Sequence, residues 1–98
     1  MKIVREELET RIDREIENFY NYLYTPGEIS RKRTAFYFLT EDFVIFEKEG
    51  GDLINFKETF LVKKLKEKTL KSEQEDFIID LLDFIDKNFG NKGFILEE

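Results

Sequence analysis

The chain has no cysteine, no histidine and no tryptophan, and only one proline and one methionine among its 98 residues. Without cysteine there is no disulfide framework, no thiolate metal ligand and no thiol nucleophile. Without histidine the usual general base near neutrality, the commonest metal ligand and the usual pH switch are all missing. Ser30 and Ser72 are the only serines, and neither has an imidazole to activate it. The five glycines, at 27, 50, 51, 90 and 93, form neither a dinucleotide-binding turn nor a phosphate loop. No Asp or Glu stands two positions before any Lys, so the acidic-x-Lys strand of a common nuclease site is lacking. A triplet Asp80-x-x-Asp83-x-x-Asp86 offers oxygen ligands suited to magnesium. On a helix Asp80 and Asp83 could approach one another, but Asp86 lies about 60° further round than Asp83, and no second cluster is indicated. The residue inventory points to a non-enzymatic protein with no metal and no cofactor.

Long hydrophobic runs are also absent. The longest is Ala35 to Leu39, far too short to span a membrane, and the N-terminus MKIVREELETR has no apolar signal-peptide core. A single soluble, cytoplasmic domain is expected. Hydrophobic residues make up 41% of the chain, enough for a packed core and too many for a disordered chain, and eleven Phe make that core rich in phenyl rings.

Three short aromatic and branched runs in Thr34 to Glu58 are separated by Glu41-Asp42 and by Glu49-Gly50-Gly51-Asp52. Their β propensity and turn chemistry predict a three-stranded antiparallel meander over 34–58. With Gly51 left-handed in a three-residue loop, Phe46 faces Ile54 and Val44 faces Phe56. A tight turn at Glu41-Asp42 pairs Leu39 with Val44 and Tyr37 with Phe46. One sheet face then carries Tyr37, Leu39, Val44, Phe46, Ile54 and Phe56, and the other Phe36, Phe38, Phe43 and Ile45. Both faces are apolar and both need a cover. If the helices pack on one face only, the second is expected to form a homodimer.

The rest of the chain reads as follows. Val4, Leu8, Ile12, Ile16, Phe19 and Leu23 form a helical stripe over 2–24, ended by Thr25-Pro26-Gly27. Residues 28–33 are a connector ending in the basic cluster Arg31, Lys32 and Arg33. The basic segment 59–71 leans towards helix on its Lys and Glu content. Ser72-Glu73-Gln74-Glu75 reads as a capping box opening a helix over 73–89, with Phe77, Ile78, Leu81, Leu82, Ile85 and Phe89 on one face and Gly90 as its stop. The tail 91–98 carries Phe94-Ile95-Leu96. The expected fold class is α+β: a long N-terminal helix, the meander, the basic segment and the capped C-terminal helix.

The net charge of −6 is zoned: −2 over 1–24, +2 over 25–33, −4 over 34–58, +4 over 59–71 and −6 over 72–98. On the last helix Glu73, Asp76, Asp80 and Asp83 share one face, with Asp86 near its end. The helix N-terminus accounts for the first of these, but not for Asp83 and Asp86. A carboxylate ladder of this kind fits a basic protein partner, as used by small inhibitors, immunity proteins and antitoxins of nucleic-acid-handling proteins. The alternative is a nucleic-acid-binding regulator using Arg31, Lys32 and Arg33 with Lys63, Lys64, Lys66 and Lys68, provided the two basic zones converge. A third reading is a self-assembling structural subunit.

Overall fold

In the computed structural model the described residues are 3–21, 28–67 and 69–89, with residues 19–21 and 28–32 described by their backbone alone. They form four helices: α1 (Arg5–Asn21), α2 (Glu28–Lys48), α3 (53–66) and α4 (Ser72–Phe89). No strand occurs among the described residues, which overturns the α+β expectation and the meander over 34–58.

The correction follows from how α2 buries itself. Ala35, Leu39, Asp42, Phe43 and Phe46 recur at helical spacing and point inward, while Tyr37, Phe38 and Val44 face solvent. Apolar side chains therefore sit on every side of α2, and its buried stripe is camouflaged by exposed aromatics. The pairing of Tyr37, Leu39, Val44, Phe46, Ile54 and Phe56 on one face is broken accordingly: Leu39, Phe46 and Phe56 are buried, and Tyr37, Val44 and Ile54 are exposed. The second predicted face is divided too, with Phe43 fully buried, Phe36 and Ile45 partly buried, and Phe38 exposed. Residues 28–33, read as a connector, are the first turns of α2.

The Glu49-Gly50-Gly51-Asp52 segment joins two helices instead of two strands. Gly50 donates its N–H to Glu47 O at 3.0 Å and Gly51 donates to Phe46 O at 2.8 Å. With Gly50 at φ +86° this is a Schellman stop, which satisfies the last carbonyls of α2. Asp52 then caps α3, its side chain accepting from Asn55 N at 3.0 Å. The positive φ falls on Gly50, not on Gly51 as the hairpin reading required.

Gly51 has a different reason to lack a side chain: a Cβ there would overlap the ring of buried Phe46. Gly51→Ala is expected to destabilise the protein by about 1–3 kcal/mol through overpacking, read as a lower urea midpoint. The loss should shrink in a Phe46→Leu background. An equal loss in both backgrounds would show that the ring is not what Gly51 accommodates.

Helix α3 is not regular throughout. Leu53–Phe56 is α-helical, Lys57–Leu61 forms a π turn in which Val62 N–H reaches back to Lys57 O, and Val62–Lys66 is α-helical again. The extra residue in that turn places Leu61, in place of Phe60, in line with Leu53 and Phe56 on the core side. The basic segment 59–71 is thus helical only as far as Lys66.

The core gathers Leu8, Ile12 and Ile16 of α1, the buried stripe of α2, Phe56 and Leu61 of α3, and Phe77, Ile78, Leu81, Leu82 and Ile85 of α4. Leu8, Ile12 and Ile16 of the first predicted stripe and Phe77, Ile78, Leu81, Leu82 and Ile85 of the last are buried, as their periodicity predicts. Ile3 is buried at the start, however, while Val4 is exposed, and the side chains of Phe19 and Leu23 lie outside the described residues. Gly90 and the tail 91–98 also lie outside them.

The start of α4 is shifted by one residue from the predicted box. Ser72 is already helical, and the reaching side chain is that of Gln74, whose Oε1 accepts from Lys71 N at 2.8 Å. The same buried amide donates through Nε2 to Ile16 O at 3.0 Å, so one side chain both caps α4 and fastens it to α1.

Candidate interaction groove between α2 and α4

Helices α2 and α4 meet at Phe36 and Phe84, whose rings stand edge to face at 5.5 Å. Beside this contact the two helices leave an open groove of about 720 Å³. Phe36, Tyr37 and Phe84 give it an aromatic floor and wall, and Thr40 and Asn88 add hydrogen-bonding groups. Arg33 stands on the α2 rim, and Asp80, Asp83 and Lys87 line the α4 side. Tyr37 is 63% exposed and presents its ring to solvent at the groove.

The predicted carboxylate ladder is divided by this geometry. Glu73 and Asp76 are exposed near the N-terminus of α4, where the helix dipole favours them. Asp80 and Asp83 line the groove. Asp83 also pairs with Lys87 at 2.8 Å, one turn further along. Hydrogen bonding to Asp83, and then its negative charge, push the Lys87 ammonium above the usual lysine pKa. Asp86 is set apart from the rest. It pairs with Lys57, whose side chain is only 3% exposed, while Asp86 itself is 20% exposed. Its charge is thus explained inside the molecule, and Asp86 is unsuited to partner contact. No group of three His, Cys, Asp or Glu among the described residues is arranged to hold a metal ion.

The basic residues lie against different elements. Arg33 is in the α2/α4 groove, whereas Lys64 pairs with Asp13 of α1 at 3.0 Å and lies 5.5 Å from the centre of the Phe60 ring. Lys63 and Lys66 are exposed on α3. Arg31 and Lys32 are on α2 by their backbone, with side chains outside the described residues, and Lys68 is also outside them.

Two ion pairs, each with a buried member, escape sequence reasoning. Lys57 falls within the segment read as a meander, yet it is a buried partner of Asp86. Asp42 looked like a turn residue, yet it is buried and pairs with Arg11 of α1. In each case the missing signal was the helical register of 34–58. Among the described residues no helix is long and apolar enough to cross a membrane. No protein-family model, curated protein or solved structure matches the chain.

Proposed function

We propose that the chain is a non-enzymatic binding module that docks a basic protein segment along α4, with an apolar residue of that segment seated in the α2/α4 groove. An inhibitor or adaptor of a basic, nucleic-acid-handling protein is its favoured form. The observation that carries this reading is the placement of Asp80 and Asp83 directly beside an open aromatic floor. Apolar anchoring supplies affinity, while Glu73 and Asp76 towards the N-terminus of α4 extend a negative surface that steers a cationic partner.

The test is capture from nuclease-treated host lysate with wild-type chain and with an Asp76→Lys/Asp80→Lys variant. Far-UV circular dichroism serves to verify that the variant is folded. A basic protein retained by wild type after nuclease treatment, and weakened at least roughly tenfold by the variant, supports the reading. Retention that vanishes on nuclease treatment, or that is indifferent to the charge reversal, overturns it. The first of those outcomes transfers the function to Arg33, Lys63 and Lys66 and to nucleic acid.

A further inference from the structure

The outer face of α2 carries a second pattern. Arg33, Tyr37, Glu41, Val44 and Lys48 follow one another at spacings of four, four, three and four, forming a stripe on the side of α2 away from buried Leu39, Phe43 and Phe46. All five are exposed. We infer that this stripe is a two-fold interface with a second copy of the chain, with the axis passing beside Tyr37. Arg33 and Glu41 stand one turn to either side of Tyr37, each about 6 Å along the helix at 1.5 Å per residue. A two-fold axis there brings α2 antiparallel to its copy, stacks the two Tyr37 rings, and sets Arg33 of each chain opposite Glu41 of the other. Such a patch is self-complementary, as an isologous interface has to be.

The charges also select this register over its neighbour. Sliding the copies until Tyr37 meets Val44 would place Arg33 opposite Lys48 and bring the two Glu41 side chains together. Both contacts are repulsive, and repulsion of this kind excludes a competing arrangement. The interface leaves the α4 carboxylates uncovered but shares part of the groove with the docking proposed above. Arg33 and Tyr37 also line the groove, whereas Glu41 does not. Glu41→Arg is therefore the variant that separates the two surfaces.

The experiment is sedimentation equilibrium on wild type, Arg33→Glu, Glu41→Arg, and an equimolar mixture of the two variants, each verified as folded by circular dichroism. Wild type is expected to dimerise. Each single variant places like charges together twice across the axis and should weaken the dimer at least roughly tenfold. In the mixture the carboxylate introduced by Arg33→Glu meets the guanidinium introduced by Glu41→Arg, while native Glu41 of the first variant meets native Arg33 of the second. A heterodimer should therefore form at close to wild-type affinity. A wild-type chain that stays monomeric to high micromolar concentration overturns the inference, as does a mixture that associates no better than either variant alone.

Discussion

Phe56→Ala is expected to cost about 3–5 kcal/mol, while Ile54→Ala two residues away should change stability by no more than about 0.5 kcal/mol. Phe56 is fully buried, with ring centroids of Phe43, Phe46 and Phe60 at 5.9, 5.8 and 5.4 Å. The Arg5 guanidinium lies 5.6 Å from its centroid, and Arg5 also bonds Glu9 and the Thr59 hydroxyl, so the ring sits where α1, α2 and α3 join. Truncation removes the aromatic burial and leaves a cavity between three helices that have little freedom to collapse. Ile54 is 54% exposed on the other side of the same helix. Urea unfolding of the two variants separates helix from strand directly. In a strand, residues 54 and 56 share a face and both substitutions would be costly. Since small domains are stable by only about 5–15 kcal/mol, the Phe56 variant is expected to be close to unfolding at 37 °C.

The second large effect is expected at the Lys57–Asp86 pair. Asp86→Ala removes a carboxylate from beside a nearly inaccessible ammonium, at an expected cost of about 3 kcal/mol. The value lies at the low end of the range for a broken buried pair because Asp86 keeps some access to water. Replacing both members, as Lys57→Met/Asp86→Leu, should recover most of that loss, since removing both charges also removes their desolvation penalty. Equilibrium unfolding of Lys57→Met, Asp86→Leu and the double variant forms the cycle that isolates the pair. A loss below about 1 kcal/mol for Asp86→Ala would mean that Lys57 does not depend on it. The result bears on function as well. A charge reversal spread over Glu73, Asp76, Asp80, Asp83 and Asp86 together would unfold the protein through Asp86 and mimic loss of binding. The capture experiment is therefore confined to Asp76 and Asp80.

Helices α1 and α4 were legible because their buried residues are one-sided: Leu8, Ile12 and Ile16, and Phe77 to Ile85, are backed by charged side chains. Helix α2 was not, because Tyr37, Phe38 and Val44 occupy positions where a surface helix ordinarily places polar residues. Aromatic and branched residues in that density imitate a strand, and Gly50-Gly51 imitates a hairpin loop. Two signals pointed the other way. Residues 28–49 contain no Gly, Asn or Pro, so Glu41-Asp42 is a poor choice for a tight turn. Asp52 is an N-cap residue type, and a glycine just before it is equally a helix stop. The candidate site was half legible for the same reason. Asp80 and Asp83 were found because α4 was found, while their aromatic counterparts Phe36 and Tyr37 were assigned to opposite faces of a sheet. Asp86 reads as part of the carboxylate ladder because Lys57, with which it pairs, lies in the segment whose period reads as strand.

The groove and the two-fold stripe both require residues 28–48 to be one helix, and backbone NMR of the isotope-labelled chain tests that most directly. The expected result is an unbroken run of helical Cα shifts from 28 to 48, a break at Gly50-Gly51 with the Gly51 amide bonded to Phe46, and helical shifts resuming from Leu53. Extended shifts over 36–39 and 43–46, with cross-strand contacts between Leu39 and Val44 and between Tyr37 and Phe46, would contradict it. Both surfaces would then be lost.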